Sequence, residues 1–275
     1  MTRAALIEQI RLKQSFLCVG LDTDINKIPI HLQQQPNAVL TFNKAIIDAT
    51  KDYCVSYKIN TAFYEAMGKA GWEVMEETVA YIPKTHFTIA DAKRGDIGNT
   101  STQYAKAFFD TLGFDAITVA PYMGEDSIRP FLEFEGKWAI VLGLTSNKGA
   151  ADFELQKMQM PGLTERYLYE NVIETVAQWG TIDNLMFVVG ATQASELTNI
   201  RRFVPDHFLL VPGVGFQGGS LADVSEHGLN KDCGLLVNAS RAIIYASEKE
   251  DFAQEAAMIA QQYQQEMRTR ILGLV

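Results

Sequence analysis

His86-Phe87-Thr88-Ile89-Ala90-Asp91-Ala92-Lys93-Arg94-Gly95-Asp96 runs from a β-branched, apolar strand into a knot of charges, and a helical pattern begins just after it, near Ile97. Asp91 and Lys93 therefore fall at a strand's carboxyl end. Side chains alternate along a strand, so residues two apart face the same way, and a carboxylate and an ammonium are predicted to aim at one spot. Asp96 follows at the helix entrance. A buried strand that ends in three charges must satisfy them by mutual pairing, by solvent or by a polar ligand. In isolation the cluster also fits a structural ion pair, with Asp96 as the cap of the next helix.

Outward from this stretch the same unit repeats. On the amino-terminal side, a helix is followed by the apolar strand Phe16-Leu17-Cys18-Val19-Gly20-Leu21, which ends in Asp22. A helix over 36–51 leads to a strand over 55–60 that carries Lys58 near its end. A helix over 61–81 follows, with Trp72, Met75 and Val79 as a core stripe. On the carboxyl side, the helix after Asp96 shows Tyr104, Phe108 and Leu112 on one face and stops at Gly113. Strands are then predicted over 116–120, 138–144, 185–190, 208–212 and 234–238, with helices over 125–134, from a cap at Thr164, over 195–203 and over 252–271.

Strand and helix thus alternate eight times, and nearly every strand is apolar throughout, as parallel strands covered on both faces should be. Eight units over about 250 residues is the size of a closed (β/α)8 TIM barrel, whose sites lie at the carboxyl ends of the strands. A doubly wound open sheet is the alternative, because periodicity does not show closure. No linker or composition shift divides the 275 residues, so a single domain over 1–275 is expected. The longest apparent loop, 148–161, is polar and contains methionines, and its role is open.

Composition narrows the function. The chain is 47% hydrophobic and carries 24 basic against 33 acidic residues, a net charge of -9 with no basic block, so nucleic acid and anionic membranes are not expected partners. An anionic small molecule would need a local cationic site. Cys18, Cys54 and Cys233 are odd in number and far apart, which points to reduced core thiols and a cytoplasmic setting. His31, His86, His207 and His227 lack metal-ligand spacing and are expected at the surface or in the packing. No stretch is long enough to span a membrane.

Gly213-Val214-Gly215-Phe216-Gln217-Gly218-Gly219 formally matches a dinucleotide fingerprint, yet it follows the seventh strand rather than the first. In a barrel, the loops after strands seven and eight are the usual phosphate place, because glycines let backbone N–H groups approach the anion. Arg241, just past strand eight, adds a bidentate cation. If the barrel closes, Asp22, Lys58, Asp91, Lys93, Thr145-Ser146-Asn147, Gln217 and Arg241 converge on one mouth. That set suits a phosphorylated, hydroxylated ligand.

Together these residues resemble the orotidine 5'-phosphate decarboxylase family, in its longer bacterial form. The resemblance rests on Asp22, Lys58, the Asp-x-Lys-x-x-Asp signature at Asp91, Lys93 and Asp96, the Pro-Gly-Val-Gly-x-Gln-Gly-Gly loop over 212–219, and Arg241. The signature alone is shared with sugar-phosphate relatives. The resemblance implies loss of CO2 from orotidine 5'-phosphate to give UMP, the last step of pyrimidine nucleotide synthesis, with no metal and no organic cofactor. It implies that Lys93 protonates C6, that Asp91 sits against the leaving carboxylate, and that Asp22 and Lys58 hold ribose hydroxyls. Pro212, Gln217, Gly218 and Arg241 fall at the phosphate, and Ser146, in preference to Thr145, meets the pyrimidine. It further implies a homodimer in which Asp96 and Thr100 reach the neighbouring subunit's site; their spacing of four is compatible with one helical face.

Expelling CO2 leaves an electron pair in the plane of the base, outside the π system, so a fixed cation beside that carbon is the direct remedy. Carboxylates around Lys93 favour its ammonium form. A Schiff-base aldolase, by contrast, needs a neutral lysine. Two other readings are a metal-dependent sugar-phosphate decarboxylase or aldolase of the same superfamily, and a silent phosphate-binding barrel.

Overall fold

Continuous apolar runs become the strands of a barrel because both of their faces are covered. In the computed structural model, which describes residues 1–159, 165–215 and 218–274, every residue of the strands Leu17–Gly20 (β1), Ala116–Val119 (β4), Leu185–Val189 (β6) and Leu235–Ala239 (β8) is buried. Ser56–Asn60 (β2), Phe87–Arg94 (β3), Trp138–Leu144 (β5) and Phe208–Pro212 (β7) complete the set. Each pairs in parallel with its neighbours in sequence, and Leu17 to Val19 of β1 pair with Val237 to Ala239 of β8, so the sheet closes. The open sheet is thereby excluded.

The helices bury one stripe each against this wall. Ala38–Thr50 buries Val39, Phe42, Ile46, Ile47 and Thr50, the three-and-four spacing of an amphipathic helix, while Phe252–Ile271 packs beside it and reaches the barrel floor, where Met267 meets Phe16. One polar group inside this layer is fully bonded: Asn43 accepts from Thr23 and donates to Tyr64 and Thr78, and the Tyr64 hydroxyl donates to the Leu21 carbonyl at 2.9 Å. That last bond fixes the chain just before Asp22.

Several local expectations are corrected. The helix expected over 61–81 is two, Thr61–Glu65 and Lys69–Tyr81, because Gly68 adopts φ 64° between them. Its stripe is buried at Met75 and Val79, but Trp72 stays 38% exposed and leans on Phe108. The helix after Asp96 runs over Gly98–Lys106 and widens into a π turn over Ala107–Thr111 before Gly113. A further helix, Leu221–Gly228, stands between β7 and β8. The apparent loop after β5 has structure of its own: a 3-10 turn over Lys148–Asp152, and Lys157–Met158 paired antiparallel with Arg166–Tyr167. Thr164 lies outside the described residues; the helix Leu168–Val176 begins with the Tyr167 N–H held by the Glu170 carboxylate at 2.6 Å.

Cys18, Cys54 and Cys233 are free and buried, and burial pushes the Cys18 thiol up to about 12. His86 and His207 are packed inside, where burial pushes each down to about 4. Among the described residues, no helix is long and apolar enough to cross a membrane.

Candidate active site

At the carboxyl end of the barrel, Asp22, Lys58, Asp91, Pro212 and Arg241 line one cavity of about 500 Å³, together with Asp24, Lys27, Asn238, Ser240 and Tyr245. Four of the site residues form a chain of alternating charge. Lys58 Nζ lies 3.3 Å from Asp22 Oδ1 and 2.9 Å from Asp91 Oδ2, and Lys93 Nζ lies 2.5 Å from Asp91 Oδ1. The Lys58 side chain is only 4% exposed, whereas that of Lys93 is 51% exposed. The series thus starts on buried charges and ends on an accessible ammonium.

Electrostatics keep Lys58 and Asp91 ionised. Burial opposes the charge on Lys58, but the pull of Asp22 and Asp91 and the hydrogen bond to Asp91 outweigh it, and its pKa is raised above the ordinary lysine range. Burial by itself would raise Asp91; the fields of Lys58 and Lys93, with hydrogen bonds from both, hold its carboxyl well below the usual carboxylate range. Lys93 therefore donates to a carboxylate that stays negative.

The alternation expected of Asp91 and Lys93 brings them together by a different route. Between Ala90 and Arg94 the pairing of β3 with β4 shifts register, and Lys93 sits at φ 48°, a left-handed conformation that costs a side-chain-bearing residue about 1–3 kcal/mol. Thr118 sustains it. Its Oγ1 accepts the Lys93 N–H at 2.9 Å and donates to Asp91 Oδ1 at 3.0 Å, so one hydroxyl sets both the backbone and the carboxylate.

Three supporting residues escaped sequence reasoning. Thr118 reads there only as part of a strand, although a buried hydroxyl in an apolar run was a usable signal. Ser240 donates to Asp22 Oδ2 at 2.7 Å; it stands beside Arg241 in sequence. The Tyr245 hydroxyl donates to the Asp22 carbonyl at 3.0 Å and accepts the Asp24 N–H at 2.8 Å, which fixes the turn after β1. Burial pushes this phenol up to about 12, so it remains a neutral donor.

The remaining expected residues lie around the cavity rather than in its wall. The Ser146 hydroxyl is buried without a protein partner, against Gly190, where any Cβ would come within 2.1 Å of it. The Thr145 hydroxyl lies within hydrogen-bond distance of Asn147 Oδ1 and of the Glu154 carboxylate. Gly218 adopts φ 87° and its N–H bonds the Gly215 carbonyl at 2.9 Å. Gln217 lies outside the described residues.

Asp96 and Thr100 do not line the cavity. Asp96 precedes the helix Gly98–Lys106, whose cap position is Ile97, and its carboxylate accepts the Ile97 N–H at 2.8 Å. One helical face is thus not what relates Asp96 to Thr100, because the chain turns between them. Thr100 is exposed in the first helical turn. No group of three or more His, Cys, Asp or Glu side chains suited to a metal ion occurs among the described residues.

Comparison with known proteins gives the arrangement its relatives. Residues 15–256 match the Orotidine 5'-phosphate decarboxylase / HUMPS family. The orotidine 5'-phosphate decarboxylase of Flavobacterium johnsoniae is 57% identical over 270 residues, 97% of each chain. Among solved structures, Leishmania donovani OMP decarboxylase is 34% identical with a TM-score of 0.81, over 98% of this chain and 99% of that one. Leishmania donovani UMP synthase is 36% identical with a TM-score of 0.82; the match covers 96% of this chain and 57% of the longer protein.

Proposed function

Because the chain belongs to the Orotidine 5'-phosphate decarboxylase / HUMPS family, we propose that it converts orotidine 5'-phosphate to UMP and CO2, with Lys93 as the cation at the reacting carbon. The observation that carries this reading is the series Asp22, Lys58, Asp91, Lys93: its first three members line a cavity with Arg241, and its half-exposed end, Lys93, is bonded to Asp91 in that wall. In the reaction the bond between C6 and the carboxylate carbon breaks and its electron pair stays on C6. The Lys93 ammonium stabilises that pair and then delivers a proton to it, and the neutral amine regains a proton from solvent. Asp91 lies against the leaving carboxylate. Asp22 and Lys58 take the ribose hydroxyls, and Ser146 takes a polar atom of the pyrimidine. Pro212, Gln217, Gly218 and Arg241 hold the phosphate, and no cofactor takes part.

The homodimer belongs to the same reading. Asp96 and Thr100 do not line the cavity that holds Asp22 and Arg241, and the neighbouring Ile97, with Tyr122 and Met123, leaves apolar surface exposed, the kind of surface a second copy covers. Three free, buried thiols suit a cytoplasmic enzyme of nucleotide synthesis. Incubation with orotidine 5'-phosphate, followed by the ultraviolet change on formation of UMP, tests the reaction directly; no change at micromolar enzyme would end it.

Phosphate binding far from C6 contributes to turnover when it drives closure over the substrate. Arg241→Ala is expected to lower kcat/KM by about 10- to 150-fold, the worth of one charge-assisted contact of about 1.5–3 kcal/mol, and to lower kcat as well. Steady-state kinetics checks this. An unchanged kcat at saturating substrate would show that the phosphate serves binding alone.

A further inference from the structure

The segment that follows β5 returns to the strand end and places one carboxylate there. Glu154 Oε2 accepts the Thr145 N–H at 2.6 Å, and the Thr145 hydroxyl lies 2.9 Å from Oε1 and 3.1 Å from Oε2 of the same group. The Glu154 carbonyl in turn accepts the Tyr169 N–H at 3.0 Å, which ties the segment to the helix Leu168–Val176. The Thr145 hydroxyl also lies 2.6 Å from Asn147 Oδ1, and the residue beside it, Ser146, has its hydroxyl buried, unpartnered and set against Gly190.

We propose that Glu154 is a positioning residue for the decarboxylation: by clamping the backbone and side chain of Thr145, it fixes the backbone from which the Ser146 hydroxyl turns to the pyrimidine. The inference rests on the reaction assigned above. A strand end is the start of a loop, and without an anchor its next residue samples several φ/ψ states. A charge-assisted bond to the first N–H beyond β5 removes that freedom on the residue adjacent to the Ser146 hydroxyl. Ser146 Oγ is buried without a protein partner, a costly state that a turn of the side chain toward a pyrimidine atom would relieve. The polar segment after β5 thus acquires a function: it carries the carboxylate that sets the specificity edge of the site.

The test is a double-mutant cycle in the full-length protein with orotidine 5'-phosphate as substrate. Glu154→Ala is expected to lower kcat/KM by about 10- to 100-fold, the cost of a displacement of about 1 Å. Glu154→Gln should remain within about threefold of wild type, because its amide oxygen accepts the Thr145 N–H and its amide nitrogen donates to the Thr145 hydroxyl. In a Ser146→Ala background, Glu154→Ala should add less than about threefold, since the group it positions is gone. Should Glu154→Ala not fold, Thr145→Val breaks the hydroxyl half of the clamp from the other side and takes its place in the cycle with the same expectation. Losses that multiply in the double variant, or a Glu154→Gln variant as impaired as Glu154→Ala, overturn the role of Glu154 while leaving the reaction standing. A wild-type protein inert toward orotidine 5'-phosphate overturns the reaction and this inference together.

Discussion

Replacing Lys93 with Ala is expected to reduce UMP formation by at least about 10⁴-fold, because in the proposed mechanism one side chain supplies both the stabilising cation and the proton. A positioned general acid contributes about 10²–10⁴ and a preorganised electrostatic donor about 10²–10³, and the two roles of one group are lost together. Binding should survive far better. UMP has no carboxylate at C6, and the groups assigned to its phosphate and ribose are unchanged, so its Kd by calorimetry should move by less than about tenfold. The fold should also persist: Lys58 still faces Asp91 at 2.9 Å, and Thr118 Oγ1 still supports the strained turn. Single-turnover ultraviolet measurements on the variant decide the matter. Turnover within tenfold of wild type would remove Lys93 from the chemistry and with it the proposed mechanism.

Lys58→Ala is the second large effect, and it acts on stability as well as on rate. Lys58 is buried between two carboxylates, and its removal leaves Asp22 and Asp91 without their shared cation. Breaking a buried pair from one side costs about 3–5 kcal/mol, which for a chain of this size is a fall in Tm of roughly 5–20 °C at pH 7. The pH dependence has a definite sign. The folded-state pKa of Asp91 is depressed below its ordinary 3.8, so its contribution is complete above that value and is lost as pH falls through the depressed range. Lys58 is shifted upward, so its contribution is complete at all pH values below the ordinary lysine range. The gap in Tm between wild type and Lys58→Ala should therefore be widest near neutrality and narrow progressively below about pH 4, toward the depressed range in which Asp91 takes up its proton. Thermal melts at pH 7 and about pH 2 check this, and a variant within about 2 °C of wild type at pH 7 would show the network to be worth little. The rate should fall too, because Asp91 and, through it, Lys93 lose the charge that orients them.

Much of the site was legible because charge is rare in buried strands. Asp91, Lys93, Lys58 and Asp22 stand out at the ends of apolar runs, and a barrel gives such ends one destination. Glu154 was not legible: it sits in a polar stretch where an acid is unremarkable, and only the return of the chain to β5 gives it a partner nine residues back. Thr118 and Ser240 were hidden for a related reason. A hydroxyl that supports another side chain carries no local pattern, since its partners come from other strands.

From its order of residues alone, this protein commits to eight strands and the helices between them, because burial on both faces writes a continuous apolar run and burial on one face writes a three-and-four stripe, and both are properties of neighbours along the chain. Closure of the barrel was not contained in those patterns; it required β1 to pair with β8 across more than two hundred residues. Nor were the ion pairs of Lys58 with residues 36 and 33 positions away, or the left-handed turn that swings Lys93 onto Asp91. Register between strands selects which charges meet, and register is settled by packing of the whole barrel rather than by any segment of it.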